Sequence, residues 1–126
     1  METAFGKRLD RVRQASPLVH CISNLVTAND CANIVLAAGA SPIMADAPEE
    51  VREITALSRA LCLSLGTPNP RKADAMFLAG RKAAELGLPV VFDPVGVGAS
   101  AYRREIAQKL LRDIPPTVLR CNASEL

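Results

Sequence analysis

Residues 89–99 read Pro89-Val-Val-Phe-Asp-Pro-Val-Gly-Val-Gly-Ala99, an apolar run followed by one acid and a glycine turn. The segment from Tyr102 to Arg112 then places Ile106, Leu110 and Leu111 at helical spacing among charged residues. A short apolar run that ends at a turn and precedes an amphipathic helix is typical of a buried strand and its crossover helix. The segment therefore predicts one βα unit.

The same unit recurs along the chain. Short apolar runs predict five strands, near residues 18–22, 41–45, 61–65, 90–92 and 117–120. Helical patterns occupy residues 4–14, 71–86 and 102–112, and two more helices follow the polar segments 24–30 and 46–50. The first of these two carries an apolar stripe of Cys31, Ile34, Val35 and Ala38, and Gly39 is placed to close it. Strands alternating with helices predict an α/β fold, with a mainly parallel sheet, helices on both faces and about five βα units in one domain.

Composition limits the function classes. The 126 residues are 49% apolar and 22% charged, which is typical of a globular chain with a real core. A net charge of +2, no Trp, one Tyr and three Phe argue against a nucleic-acid partner. No apolar window is long enough to span a membrane, and the four cysteines form no CxxC pair, so we expect a cytoplasmic protein with reduced thiols.

Ligands of open parallel sheets bind beyond the carboxyl ends of the strands. The polar residues that follow the five predicted strands are Asn24 and Thr27, Met44 and Asp46, Gly66 and Thr67, Asp93 with its glycines, and Arg120, Asn122 and Glu125. These residues are the candidates for a site.

For most candidates, pattern alone leaves two interpretations open. Asp93 could face a metal and phosphate, or it could cap the next helix or turn. Arg120 could pair with phosphate or be a solvated charge at the sheet rim. Glu125 could be a magnesium or water ligand, or an acid in a first helical turn. Met44 could line a ligand pocket or fill the core.

Other polar residues favour structural interpretations. His20 has no partner at triad or metal spacing, which favours a satisfied position in the core or at a strand edge. The basic residues of the long helix are most simply its solvated face; they are Arg71, Lys72, Arg81 and Lys82. The cysteines are interpreted as small buried hydrophobes.

Five motifs in order resemble the hydroxyethylthiazole kinase family over nearly the whole chain. They are His20-Cys-Ile-Ser-Asn-Leu-Val-Thr-Ala-Asn-Asp-Cys-Ala-Asn33, Gly39-Ala-Ser-Pro-Ile-Met-Ala-Asp46, Leu65-Gly-Thr67, Pro89 to Ala99, and Arg120-Cys-Asn-Ala-Ser-Glu125. The resemblance implies a ribokinase-like fold and a homotrimer with active sites at subunit interfaces. It also implies ATP- and magnesium-dependent phosphorylation of 4-methyl-5-(2-hydroxyethyl)thiazole in thiamine biosynthesis or salvage.

The resemblance also assigns roles to individual residues. It implies that Met44 binds the thiazole and that Asn24 lines its pocket. It implies that Arg120 contacts ATP phosphate, and that Asp93 and Glu125 position magnesium and phosphates. Two departures from the family pattern are Cys121, where glycine is usual, and Ser64, where asparagine is common.

The family's catalytic cysteine lies in a Gly-Thr-Gly-Cys loop, and none of the four cysteines here matches that motif. The sequence resembles the N-terminal half of the family, so residues 1–126 are expected to be a partial ribokinase-like domain whose catalytic loop lies beyond Leu126. We therefore expect this chain to be inactive by itself. Two alternatives are a non-catalytic module that binds the thiazole or a partner, and a different sugar or vitamin kinase of the same architecture.

Overall fold

The computed structural model describes residues 3–126. Six helices and five strands follow one another, and they are α1 (Ala4–Ala15), β1 (Leu18–Ile22), α2 (Ala28–Ala37), β2 (Ser41–Met44), α3 (Val51–Leu57), β3 (Ala60–Ser64), α4 (Pro70–Leu86), β4 (Val90–Asp93), the short 3-10 helix Val97–Ala99, α5 (Ala101–Asp113) and β5 (Val118–Leu119). Every predicted strand is present, and β5 is shorter than predicted. The segment 48–50, predicted as a first helical turn, is a separate turn before α3.

The five strands form one sheet in the order β2-β1-β3-β4-β5, and all four pairings are parallel. In the backbone register, Cys21 of β1 lies opposite Cys62 of β3, and Ser64 of β3 lies opposite Asp93 of β4. The predicted parallel α/β architecture is therefore confirmed.

The main core lies on one face of this sheet. Ile22, Leu61, Leu63, Val90 and Phe92 point from the strands into a cluster formed with α3, α4 and α5. The helices contribute small as well as large side chains, which are Val51, Ala73, Ala75, Met76, Ala79, Ala83, Ile106, Ala107 and Leu110. The row of alanines lets α4 pack close to the sheet, since close packing depends on the size of the side chains at the contact.

Local signals set the ends of the helices. The side chain of Asn69 accepts a hydrogen bond from the backbone N–H of Lys72 at the start of α4, and Gly87 ends that helix at φ 66°. Ser100 caps α5 in the same way through Arg103. Gly39 follows α2 at φ 95°, the left-handed conformation predicted for it.

Helix α2 lies on the opposite face of the sheet. The connection from β1 to β2 leads across the sheet in the direction opposite to the other strand connections. A right-handed crossover therefore places α2 on the face opposite the main core. No residue of α2 is buried, and Ile34 in its apolar stripe is 68% exposed. The other stripe residues, Cys31, Val35 and Ala38, are half-buried. Within residues 3–126, no helix combines the length and the apolar character needed to cross a bilayer.

Candidate functional site

The carboxyl ends of all five strands lie at one edge of the sheet because every pairing is parallel. The predicted site residues lie at those ends or just after them, and most of them form two clusters. The first cluster, around Asn24, Met44 and Asp46, lies at the ends of β1 and β2. The second cluster, around Asp93, Arg120 and Glu125, lies at the ends of β4 and β5.

The first cluster surrounds a small cleft of about 90 Å³. Its lining residues are Cys21, Ser23, Asn24, Leu25, Ala28, Met44, Ala45 and Asp46. Met44 is 39% exposed, so the interpretation of this side chain as core filler is wrong. The walls combine apolar side chains with one amide and one carboxylate, as is usual for a small-molecule site.

Asn24 is held in place by its own loop and by the loop after β3. Its Oδ1 accepts a hydrogen bond from the backbone N–H of Thr27 at 2.9 Å. The backbone N–H of Leu25 donates to Oγ1 of Thr67 at 3.1 Å, which joins the two loops. A β-carbon on Gly66 would lie 2.4 Å from Cβ of Asn24, so the loops approach too closely for any other residue at position 66.

Lys72 supports this cluster from beneath. Only 4% of it is exposed, and its Nζ donates to the backbone carbonyls of Ser23 and Gly66. Burial lowers the pKa of Lys72, and the carboxylate of Asp46 acts in the opposite direction. The interpretation of Lys72 as part of a solvated face is wrong.

The other three basic residues of α4 lie toward solvent. Arg71 pairs with Glu49 at 2.8 Å, Lys82 pairs with Glu85 at 3.1 Å, and Arg81 is exposed. A signal for Lys72 does exist in the sequence. Lys72 lies three, four and seven residues before Ala75, Met76 and Ala79, and this spacing puts it on the buried face of the helix.

His20 has the structural role predicted for it. The ring is fully buried, with Nδ1 2.9 Å from Oγ1 of Thr55 and Nε2 2.8 Å from the carbonyl oxygen of Ala45. A carbonyl only accepts, so Nε2 carries the proton. Burial lowers the pKa of His20, against the hydrogen bond to Ala45 and the charge of Glu50. The neutral ring thus anchors the residue that follows Met44.

The second cluster is built on Asp93 and the loop after it. Oδ2 of Asp93 accepts a hydrogen bond from Nη1 of Arg120 at 3.4 Å. Oδ1 is buried and has no hydrogen-bond partner among the described residues. The interpretation of Asp93 as a cap of the next helix or turn is wrong, because its carboxylate accepts no backbone N–H among the described residues and Ser100 caps α5. Asp93 therefore presents one unsatisfied carboxylate oxygen at the strand end.

Glu125 joins the loops after β4 and β5. Its two carboxylate oxygens accept hydrogen bonds from the backbone N–H groups of Gly96 and Asn122, each at 3.0 Å. These bonds, the one from Asn122 first, lower the pKa of Glu125, and Arg120 adds to the effect. Glu125 lies in a turn that Asn122 also caps, through the N–H of Ser124 at 2.9 Å.

The glycine loop after Asp93 has fewer free donors than its sequence indicates. The N–H of Gly96 is bound by Glu125, and those of Val97 and Ala99 are bound within the loop. Arg103, which sequence reasoning missed, holds this loop to its neighbour: its Nη1 donates to the carbonyls of Leu65 at 2.9 Å and Val95 at 2.8 Å. In the sequence, Arg103 has the pattern of an exposed residue in a first helical turn, so no neighbouring residue predicts this role.

The residues at this edge fit a magnesium ion only in part. Within residues 3–126, no three His, Cys, Asp or Glu side chains are placed to hold a metal. Magnesium, however, commonly takes one or two carboxylates and completes its shell with water and phosphate oxygens. Oδ1 of Asp93, which has no hydrogen-bond partner among the described residues, is a suitable ligand atom for such an ion.

Comparison with known proteins identifies relatives along nearly the whole chain. The model of the hydroxyethylthiazole kinase family matches residues 9–126. A protein of Desulfovibrio desulfuricans named hydroxyethylthiazole kinase is 54% identical over 124 residues, which are 98% of this chain and 44% of that protein. A protein of the same name from Alkaliphilus metalliredigens is 52% identical over 121 residues, 96% of this chain and 44% of that one.

The solved structure of a hydroxyethylthiazole kinase protein from Pyrococcus horikoshii OT3 superimposes with a TM-score of 0.91 at 42% identity. It covers 94% of this chain, and this chain covers 46% of it. The ribokinase-like architecture implied by the sequence motifs is thereby confirmed for the part described. This chain spans less than half the length of these relatives. The family match over residues 9–126, together with identities above 50%, shows that the chain belongs to the hydroxyethylthiazole kinase family.

Proposed function

We propose that this chain provides the thiazole-binding cleft and part of the phosphate site of a kinase that phosphorylates 4-methyl-5-(2-hydroxyethyl)thiazole with ATP. The observation that supports this most is the placement of two chemically different clusters at one edge of a parallel sheet. One cluster is a small cleft with largely apolar walls, and the other combines an arginine with two carboxylates.

The first cluster suits a small heteroaromatic alcohol. Met44 offers a polarizable thioether to a flat ring, and Ala28 adds an apolar wall. Since Oδ1 of Asn24 is engaged by Thr27, its amide NH₂ is the group that would donate to a ring nitrogen or to the hydroxyl. Lys72 and Gly66 hold this side chain at the cleft.

A second subunit would complete the cleft, which at about 90 Å³ is small for a whole ligand site. Leu25 and Val26 beside it are each 81% exposed, and Ile34 of α2 is exposed as well. Exposed apolar side chains next to an open cleft support an interface there. The homotrimer with sites between subunits is part of the proposal.

The second cluster suits the phosphates of ATP. Arg120 would contact phosphate oxygens as a charged donor, in exchange for its long hydrogen bond to Asp93. Magnesium, held by Asp93 together with water and phosphate oxygens, would supply charge neutralisation during phosphoryl transfer. Glu125 would reach that ion through water while it holds the backbone of Gly96. We place the reaction in the cytoplasm, a compartment in which free cysteines such as these four are usual.

Production of the thiazole phosphate, followed by ³¹P NMR with ATP and magnesium, tests this proposal. The assay compares the chain alone with the chain fused to the segment of the D. desulfuricans relative that it does not match. We expect turnover in the fusion, and loss of most of it in Met44→Ala and Arg120→Ala but not in Leu57→Ala, an exposed residue of α3. A fusion that binds the thiazole but leaves ATP intact would favour the binding-module alternative.

A further inference from the structure

Cys21 and Cys62 are register partners on β1 and β3, two adjacent strands of the sheet. Leu61 and Leu63, the neighbours of Cys62 in β3, face the main core. Because side chains alternate along a strand, Cys62 points to the opposite face, and its register partner Cys21 points the same way. Two thiols therefore stand side by side on the α2 face of the sheet.

The spacing of the two residues permits a bond between their sulfur atoms. Adjacent strands lie about 4.8 Å apart, within the Cα separations of roughly 4.4–6.8 Å that disulfides span. The two Cβ atoms point to the same face, so neither side chain has to pass through the sheet. Closing the bond requires the two side chains to lean toward each other and their Cβ atoms to approach by about 1 Å.

The two thiols differ in access and in acidity. Cys21 is 4% exposed, whereas Cys62 is half-buried. The neighbouring Cys21 side chain lowers the pKa of the Cys62 thiol, although burial and the charge of Asp93 oppose the effect. The Cys62 side chain and burial raise the pKa of Cys21, and the charge of Cys31 adds to this. Cys62 is thus the better nucleophile, with Cys21 placed as the resolving thiol.

The other two cysteines are placed differently. The sulfur of Cys31 lies 3.4 Å from Oγ of Ser23 and 3.9 Å from Oγ1 of Thr27, and its charge also raises the pKa of Cys21, so Cys31 lies near Cys21 as well. Cys121 follows β5, at the far end of the sheet from β1. Neither is a register partner of Cys21.

We propose that Cys21 and Cys62 form a dithiol modification site that a low-molecular-weight disulfide converts to an intramolecular disulfide. The Cys62 thiolate attacks one sulfur of the oxidant, whose S–S bond breaks and releases one thiol. Cys21 then attacks the Cys62 sulfur of the mixed disulfide and releases the second thiol. The oxidant is reduced to two thiols, which take up the two protons that the cysteines lose.

The bond should be readily reversible. A relaxed disulfide brings the Cβ atoms to about 3.8 Å, whereas the strand spacing holds them near 4.8 Å. Strained disulfides are more easily reduced than relaxed ones, so a reduced thiol pool would reopen this one. Cys21 also lines the cleft of Met44 and Asn24, so closure would alter that wall; this consequence alone rests on the proposed function.

Peptide mapping tests the site without any activity assay. The protein is equilibrated with glutathione disulfide, its free thiols are blocked with N-ethylmaleimide, and tryptic peptides are analysed by mass spectrometry. No Lys or Arg separates Cys21 from Cys31, so the map is made in the Cys31→Ala background, and Cys121→Ala is added in that background as the matched control. Circular dichroism confirms that each variant is folded.

We expect a peptide pair linked through Cys21 and Cys62, at least tenfold more abundant than any other cysteine pair. In the Cys31→Ala background, the link should disappear with Cys62→Val, persist with Cys121→Ala, and be reversed by reduced glutathione. Free Cys21 and Cys62 after oxidation would overturn the proposal. So would a Cys62 that stops as the mixed disulfide with glutathione, because Cys21 would then not resolve it.

Discussion

Gly66 and Asn24 lie so close together that a β-carbon at position 66 would be 2.4 Å from Cβ and 2.7 Å from Nδ2 of the asparagine. The loop after β3 therefore fixes where the side chain after β1 can stand. Asn24 in turn borders the cleft that also contains Met44. The close approach of Gly66, after β3, thus positions a side chain of the cleft after the neighbouring strand β1.

Gly66→Ala should displace Asn24 and weaken thiazole binding at least tenfold. We also expect a loss of about 1–3 kcal/mol in the free energy of unfolding, typical of overpacking at a rigid contact. Gly98→Ala is the control, because its new β-carbon would meet only the carbonyl oxygen of Ser124, at 3.7 Å. Urea denaturation and ligand titration measure the two effects. Equal losses in both variants would show that the contact with Asn24 is unimportant.

Lys72→Met should destabilise the protein by about 1–3 kcal/mol, because the buried carbonyl of Gly66 and the half-buried carbonyl of Ser23 lose their donor. Methionine keeps most of the volume of the side chain, so the loss reports the ammonium group. Arg71→Met, the matched control on the same helical turn, should change stability by less than about 0.5 kcal/mol, since its ion pair with Glu49 is exposed. A small loss in urea denaturation for Lys72→Met would contradict the role assigned to Lys72.

His20, the single histidine, should make the protein less stable in mild acid. Burial lowers its pKa in the folded state below the ordinary value of 6.5, so between those two pKa values the unfolded chain binds more protons. Stability then falls as pH drops below 6.5, by at most about 1.4 kcal/mol per pH unit. The difference in unfolding free energy between wild type and His20→Gln, measured from pH 7.5 to 5, should show this slope. A difference independent of pH would contradict the neutral, buried ring.

Glu125→Gln should loosen the loop after β4, because a neutral amide offers one acceptor oxygen where the carboxylate offers two. We expect Mg-ATP to bind about tenfold more weakly, a change of about 1.4 kcal/mol. Glu105→Gln on the exposed side of α5 should leave the affinity unchanged. Titration with Mg-ATP, followed calorimetrically, measures both; unchanged binding in Glu125→Gln would remove this residue from the phosphate site.

Much of the fold could be predicted because its signals are local. Parallel strands buried within a sheet appear as short continuous apolar runs, and Gly39, Asn69 and Gly87 mark helix ends by their own conformational preferences. The strand β5 is the exception. Val118 and Leu119 lie exposed at the edge of the sheet and pair with β4 alone. The strand is therefore limited to these two residues, although residues 117–120 were predicted as a strand.

The position of the candidate residues was predicted from the sequence, but the residues that hold them in place were not. Asn24, Met44, Asp93, Arg120 and Glu125 lie at one sheet edge, as expected from the strand ends. Lys72 was missed because its charge was given more weight than its position on the apolar face of α4. The pairing of Cys21 with Cys62 could not be predicted, because β2 lies between these strands in sequence while β1 and β3 are neighbours in the sheet.

Chemical-shift mapping by NMR tests the division of this edge into two ligand clusters most directly. We predict that 4-methyl-5-(2-hydroxyethyl)thiazole shifts the amides of residues 23–28 and 44–46, and that Mg-ATP shifts those of residues 93–98 and 120–125. Shifts by both ligands in one and the same cluster, or shifts confined to the core face of α4 and α5, would contradict the account.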